Sequence, residues 1–271
     1  MRHTQGVPEL ADVEHFRRFF SSHAIGRRIS GVWVDPTILR NTVAEALGQS
    51  LVGYRFLEPE RLGKWLICPT DGPVLLLHFG MTGDLIWSEE EPERHRHDRL
   101  ILEFSDGGEL RYRNMRKLGG VWLAHDDDEV ATLLQPLGPD ALAIDRRRFM
   151  ELLRKRRGGV KAALMDQSFV AGVGNILADE ILWHARLHPK QQIGDLTDAD
   201  RRKLCATMRR VLREAVEGYD YIPQKRSWLS HVRGLPGAAC PRCRTRLERT
   251  VAAGRTTYYC PACQPAPGAP V

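Results

Sequence analysis

The stretch that decides the reading is Met165-Asp-Gln-Ser-Phe-Val-Ala-Gly172-Val-Gly174-Asn175-Ile-Leu-Ala-Asp-Glu180-Ile-Leu-Trp-His-Ala-Arg-Leu-His188-Pro189. A helix-compatible segment is broken by two glycines, restarts at Asn175 and ends before Pro189. Asn175 is expected to be the N-cap of the second helix, because its short amide side chain can accept from the N–H groups of the first turn. A glycine turn leading into a helix start also gathers unpaired N–H groups at the positive end of a helix dipole, an arrangement that suits phosphate.

On the N-terminal side, residues 145–161 carry Arg146, Arg147, Arg148, Arg154, Lys155, Arg156, Arg157 and Lys161 against Asp145 and Glu151 alone. Such a block attracts phosphate and releases counterions on binding nucleic acid. A solvated helix face explains it equally well. The net charge of the 271 residues, +6, favours a polyanionic partner in the same way. Hydrophobic residues at 42% and charged residues at 27% give an ordinary globular balance, which excludes a disordered or fibrous chain. The length allows two domains, or one with appendages. Apolar runs such as Val74 to Leu77 fall far short of the roughly 20 residues that span a bilayer. The opening MRHTQGVPEL lacks the apolar core of a secretory signal, so a cytosolic location is expected.

On the C-terminal side, Cys240-Pro-Arg-Cys243 and Cys260-Pro-Ala-Cys263 form two C-x2-C pairs sixteen residues apart. Two such pairs complete a tetrahedral all-sulfur shell suited to one zinc ion, with no position open for water, so the metal is expected to be structural. The intervening residues read as a hairpin with Ala253-Gly254-Arg255 near its tip and Thr256 to Tyr259 as the returning strand. An Arg held there suits a phosphate contact. Cys68 and Cys205 read as buried packing residues.

Toward the N-terminus, Glu9 to Phe20 reads as an amphipathic helix with Leu10, Val13, Phe16, Phe19 and Phe20 at helical spacing. From about Gly26 to Ala124, short β-rich runs (ISGVWV, KWLIC, VLLLHFGM, RLILEF, LRYR) alternate with turns such as Asp71-Gly72-Pro73 and Asp106-Gly107-Gly108. That alternation predicts an antiparallel sandwich or barrel. Residues 141–218 turn helical, and an irregular basic linker containing Trp228 leads to the metal module. The architecture expected is α+β: a β-rich N-terminal domain, a helical middle and a zinc-bearing tail, with a ligand cleft between the first two.

The 165–189 segment closely resembles the helix–two-turns–helix motif of the formamidopyrimidine-DNA glycosylase/endonuclease VIII family, and GRTTYYCPACQ resembles that family's zinc hairpin. Pro8-Glu9-Leu10-Ala11-Asp12-Val13-Glu14 is similar to the family's opening, whose proline is the first residue of the mature enzyme. Arg61-Leu-Gly-Lys64-Trp-Leu resembles a lysine-bearing β segment, His78-Phe-Gly-Met81-Thr-Gly the loop of an intercalating Met, and Arg111-Tyr112 through Gly119 the loop carrying an Arg and an apolar wedge. The resemblance implies an N-terminal helix with an antiparallel β-sandwich domain (1–139), a helix–two-turns–helix DNA-binding domain (140–224), and a linker with a C-terminal four-cysteine zinc finger (225–271). It further implies that the Pro8 nitrogen attacks C1′ of a damaged nucleoside, with Glu9 steering protons. Lys64, Asn175 and Arg255 would grip phosphates about the lesion, Lys64 also serving the catalytic centre. Met81, Arg116 and Leu118 would fill the gap left by the flipped nucleotide. The implied activity is that of a bifunctional DNA glycosylase and abasic-site lyase of base-excision repair, with no cofactor beyond zinc. Its partner would be double-stranded DNA carrying a damaged base or abasic site, and the protein a monomer.

Three departures bear on that implication. Pro8 is internal as written, and an amide nitrogen has no usable lone pair for a Schiff base. Val7 precedes it, and one valine codon, GUG, also starts translation in bacteria; initiation there, followed by removal of Met, would expose Pro8 and leave residues 1–7 out of the mature protein. The wedge loop reads Asn114-Met115-Arg116-Lys117-Leu118, aliphatic where the family is usually aromatic. The segment from Trp228 to Cys240 is short for the long loop that covers 8-oxoguanine, so oxidised pyrimidines or ring-opened purines fit at least as well. A non-catalytic binder of damaged DNA, keeping the motif and zinc hairpin without a free amine, is the alternative. A zinc-ribbon regulator or RNA-binding factor would leave the Pro8-Glu9-Leu10 opening, Lys64 and the His78–Met81 stretch unexplained.

Overall fold

The computed structural model describes residues 7–89, 93–218 and 225–268. Residues 1–6 of the expected leader and 219–224 of the expected linker lie outside the described residues. The chain divides into two compact units, Met1–Pro8 with Asp12–Pro136, and Glu9–Ala11 with Leu137–Val271. In chain order the first helix and the first unit's elements are α1 (Leu10–Ala24), β1 (Ile29–Val34), α2 (Ala44–Leu51), β2 (Glu60–Leu62), β3 (Trp65–Pro69), β4 (Val74–His78), β5 (Gly83–Ser88), β6 (Asp98–Phe104), β7 (Glu109–Asn114), β8 (Gly120–Ala124) and α3 (Asp127–Leu134).

The apolar run of β4 is central in a four-stranded sheet of order β2-β3-β4-β8, and β6 and β7 are central in a second of order β1-β6-β7-β5. Every pairing is antiparallel. The two glycine-bearing turns fall where expected: Thr70 N–H donates to the Pro73 carbonyl at 3.1 Å, and Gly107 and Gly108 take φ of 92° and 76° between β6 and β7. The hydroxyl of Tyr112, on β7, donates to the His78 carbonyl, on β4, at 3.0 Å and ties the sheets together. Phe16 of α1 stacks on Phe79 with ring centroids 4.1 Å apart. The helix runs four residues beyond the expected Phe20, and Phe19 is only half-buried, tilted against His23.

Strands β2, β5 and β8 and helices α2 and α3 were not anticipated. The charged triplet of β2 and the Gly-Asp start of β5 hide a period-two pattern, as is common for strands at sheet edges; both lie at edges here.

The second unit holds α4 (Arg146–Arg154), α5 (Val160–Met165), α6 (Asn175–Ala185), α7 (Asp198–Val216), α8 (Leu229–Val232), β9 (Glu248–Ala252) and β10 (Arg255–Tyr259). Asp145 caps α4 by accepting from Arg148 N–H at 2.8 Å, and Thr197 with Asp200 forms a capping box on α7. Helix α6 is buried along nearly its whole length, Asp179 and Glu180 included, and packs on α5, α7, α8 and β10. It ends at Arg186, in the left-handed region at φ 61°. Leu10 and Ala11 join this unit's core beside Phe149, Phe169, Leu177 and Met208.

Candidate functional site

The segment before α6 makes a cradle for one carboxylate. Gly172, at φ 116°, turns the chain, and its carbonyl accepts from Leu10 N–H at 3.0 Å. That bond brings Glu9 to the start of α6, where its carboxylate accepts from the N–H groups of Gly174 (2.8 Å), Ile176 (2.7 Å) and Leu177 (3.1 Å). Glu9 is 1% exposed, and the space it occupies exists because Gly174 has no side chain. The helix dipole and three charge-assisted bonds favour a fixed anion there. Pro8, buried, precedes it directly, and Val7 is exposed.

This arrangement corrects the capping expectation. Asn175 is the first helical residue, Gly174 is the cap position, and the capping group is a carboxylate 165 residues away in sequence. The Asn175 side chain faces elsewhere, accepting from Lys161 Nζ at 2.7 Å and donating to the Thr256 carbonyl at 3.1 Å. Lys161, 1% exposed, also donates to Thr257 Oγ1 at 2.5 Å and pairs with Asp179 at 2.7 Å. Arg233 Nε reaches the other oxygen of Asp179 at 3.0 Å. Burial pushes the Asp179 carboxyl up and the Lys161 amine down, while each charge partner opposes that drift. Lys161, Asp179, Thr257 and Arg233 are site-building residues that the motif reading did not single out. The signal available was the pair Asp179-Glu180 inside an otherwise apolar helix, since a carboxylate is rarely buried without a partner.

Thr256 and Thr257 belong to the β9–β10 hairpin. Its two-residue turn is Ala253-Gly254, with φ of 52° and 67°, the geometry that matches the twist of paired strands. Arg255 is therefore the first residue of β10, exposed beside the turn. Behind the hairpin the four sulfurs of Cys240, Cys243, Cys260 and Cys263 lie within 4.8 Å of one another. The Cys240–Cys263, Cys243–Cys260 and Cys243–Cys263 sulfur separations, 3.4 to 4.0 Å, bracket the ~3.8 Å edge of a tetrahedron with ~2.3 Å zinc–sulfur bonds. Trp183 Nε1 donates to Cys240 Sγ at 3.4 Å, the kind of outer bond that orients a metal thiolate. The donor set fits one structural zinc. Chelation is expected to melt the hairpin and free Lys161 from Thr257, with about 10–16 kcal/mol of metal-binding energy lost. Zinc content of one per chain, and a change in Trp183 fluorescence on chelation, would check this; chelated protein keeping both its hairpin and its fluorescence would contradict it.

In the first unit, two loops interlock. Gly80, at φ 60°, abuts Leu118 and Gly119 so closely that a Cβ would lie 2.4 Å from the Gly119 nitrogen. Gly119 in turn leaves no room against the His78 carbonyl and Tyr112 hydroxyl. Buried Asn114 fastens both loops, donating to the Phe79 carbonyl and accepting from Thr82 Oγ1 and Lys117 N–H. Arg116 N–H donates to Thr82 Oγ1 at 3.0 Å. Met81 (36% exposed), Arg116 and Leu118 (54% exposed) thus project from one braced platform. Lys64, half-buried, follows Gly63 (φ 59°) in the β2–β3 turn. Burial first and the Lys64 charge second hold the His78 imidazole down at about 4, so it stays neutral and accepts from Gly80 N–H at 3.2 Å.

The comparisons with known proteins fall on the same segments. Residues 7–121 match the family model described as the formamidopyrimidine-DNA glycosylase N-terminal domain, 137–225 the formamidopyrimidine-DNA glycosylase H2TH domain, and 237–266 a zinc finger found in FPG and IleRS. The chain is 35% identical to a formamidopyrimidine-DNA glycosylase of Symbiobacterium thermophilum, over 96% of this chain and 90% of that relative. A relative of the same name from a Nocardioides species is 37% identical, over 96% and 95% of the two chains. Among solved structures, Lactococcus lactis Fpg in complex with abasic-site DNA superposes with a TM-score of 0.86 at 30% identity, covering 94% of this chain and 99% of the other. Its complex with Fapy-dG DNA gives 0.87 at 30% identity, covering 95% and 100%.

Proposed function

The chain belongs to the formamidopyrimidine-DNA glycosylase family, and from that premise we propose that it excises oxidised or ring-opened bases from duplex DNA and then cleaves the strand. Its partner is double-stranded DNA with a damaged base or abasic site, engaged by a monomer that holds one structural zinc. Three modules carry the work, residues 1–139 with the nucleophile and wedge, 140–224 with the helix–two-turns–helix, and 225–271 with the zinc finger. Among the described residues no helix is long and apolar enough to cross a membrane, and the bacterial relatives support action in the cytosol.

In the reaction the Pro8 nitrogen, as a free secondary amine, attacks C1′ and the base departs, taking up a proton. The sugar ring opens as O4′ gains a proton, leaving a cationic iminium between Pro8 and C1′. Glu9 stands next in the chain, and its fixed carboxylate suits it to offset that positive charge and to relay the proton at O4′. The iminium acidifies the C2′ proton; its loss expels the 3′ phosphate, and a second elimination releases the 5′ phosphate. Hydrolysis returns the amine. Lys64, Asn175 and Arg255 hold flanking phosphates, and Met81, Arg116 and Leu118 occupy the gap in the stack. An aliphatic Leu118 fills that gap with less stacking than an aromatic ring, which favours substrates whose own pairing is already weak.

The observation that carries this reading is the Glu9 carboxylate locked onto the α6 N-terminus beside Pro8. The chain beginning at Pro8, incubated in chelator-free buffer with duplexes holding a single formamidopyrimidine, 8-oxoguanine or oxidised pyrimidine, is expected to release base and nick the strand together. The formamidopyrimidine and oxidised-pyrimidine duplexes are expected to react at least as fast as the 8-oxoguanine duplex. Tight binding of all three without base release would leave the non-catalytic reading standing.

A further inference from the structure

The basic block of α4 finds a neighbour in the fold that the sequence did not reveal. Helices α4 and α7 pack together. Arg154 near the end of α4 lies 3.9 Å from Asp198 at the start of α7, while Arg146 and Asp145 at the other end act on the thiol of Cys205 together with Arg209. The helices therefore run antiparallel. Residues 145–157 and 198–217 hold thirteen basic and six acidic side chains, a net +7, where the whole chain carries +6. The remainder of the protein is close to neutral, so its positive character resides here.

Five of these six acidic residues are already engaged, exposed Glu217 just past the end of α7 being the sixth. Asp145 caps α4, Glu151 pairs with Arg148 and Lys155, Asp198 with Arg201, Asp200 closes the capping box, and Glu214 pairs with Arg210. Among the described residues Arg146, Arg147, Arg202, Lys203 and Arg213 are exposed and have no ion pair. Arg209, half-buried, has its Nε shut off from water with no hydrogen-bond acceptor among the described residues. Arg202, Arg209 and Arg213 follow at i, i+7 and i+11 and form one stripe about 16 Å long on the α7 surface. A face that engages all but one of its own acids and leaves a row of cations free is complementary to a polyanion of regular charge spacing.

We propose that the α4–α7 face is a second DNA-binding surface, which takes the sugar-phosphate backbone of undamaged duplex while the Glu9–Asn175 region is engaged with a lesion. The choice of duplex DNA among polyanions rests on the function proposed above. Such a face acts through phosphate charge, so it holds a neighbouring segment of DNA loosely and independently of sequence.

The test uses a fluorescent undamaged duplex and the full chain first saturated with an unlabelled duplex carrying an uncleavable abasic-site analogue. The labelled duplex is expected to remain bound in a ternary complex, its affinity falling with salt. In Arg147→Gln/Arg202→Gln/Lys203→Gln/Arg213→Gln the log–log salt slope should shrink by about three to four, at about 0.9 per phosphate contact, with abasic-duplex affinity and melting temperature held. Arg146→Gln/Arg147→Gln, confined to α4, should shrink it by about two if the larger set fails to fold. Complete displacement of the labelled duplex by the abasic duplex, or an unchanged slope in both variants, overturns the proposal. So does variant-sensitive binding of polyglutamate in place of DNA, which would reassign the face to an acidic protein. Equal wild-type affinity for damaged and undamaged duplex would instead indict the function proposed above.

Discussion

The chain beginning Pro8-Glu9-Leu10, mixed with a duplex holding one abasic site and borohydride, is expected to run as a covalent protein–DNA adduct, whereas the chain beginning at Met1 is not. The difference comes from a single bond. With Val7 attached, the Pro8 nitrogen shares its lone pair with a carbonyl and cannot add to C1′; without it the same atom is a secondary amine. Borohydride reduces the iminium and fixes the product. Loss of a covalent nucleophile costs on the order of 10⁴–10⁶ in rate, so the contrast should be nearly all or none. Adduct formed only by the chain beginning at Met1 would transfer the nucleophile to another amine, such as Lys64. No adduct from either form, with binding intact, would end the enzymatic reading.

Gly174→Ala is expected to be the most damaging single methyl in the second unit. Its φ of −116° is one that alanine adopts freely, so the effect is contact alone. The added carbon would lie 2.3 Å from Glu9 Cδ and 2.5 Å from Oε1. Glu9 is buried and cannot swing aside without giving up three charge-assisted bonds. Overpacking alone costs about 1–3 kcal/mol, and the lost bonds add to it, so melting should fall by several degrees at least. Excision should fall by about 10²-fold or more, the usual share of a positioned acid–base group. Glu9→Gln separates the two effects: it keeps the volume, points an amide N–H toward a backbone donor, and should lose rate out of proportion to its stability. Gly174→Ala with wild-type melting and wild-type excision would show that the cradle does not hold Glu9 as described.

The α+β layout was legible because its cues are local. The glycine breaks before Asn175, the paired C-x2-C turns and the Asp-Gly turns each state a backbone conformation within a few residues. The antiparallel sheets followed from such turns, but β2 and β5 did not, since edge strands alternate weakly and carry charge. The candidate site was legible as a roster of residue types and not as an arrangement. Asn175 looked like a cap because caps are ordinarily supplied from the adjacent chain; here Glu9 supplies it from afar, and the Asn175 amide is released to Lys161 and Thr256. Lys161 read as one more cation of a surface block, yet it is the one drawn inside, because Asp179 lies within reach and cannot be buried alone. Nothing local distinguishes it from Arg157, which stays exposed.

The bond between Glu9 and the start of α6 also sets an order of events during synthesis. Its partners lie 165 to 168 residues apart, so at the usual 5–20 residues per second the N-terminal residues wait roughly 10–30 s for their cradle to be made. Throughout that interval the Glu9 carboxylate lacks the amide groups that hold it. The newborn chain therefore carries the Glu9 carboxylate long before its three amide partners exist, and the contact can close only once residues 174–177 have been made and fold back onto it.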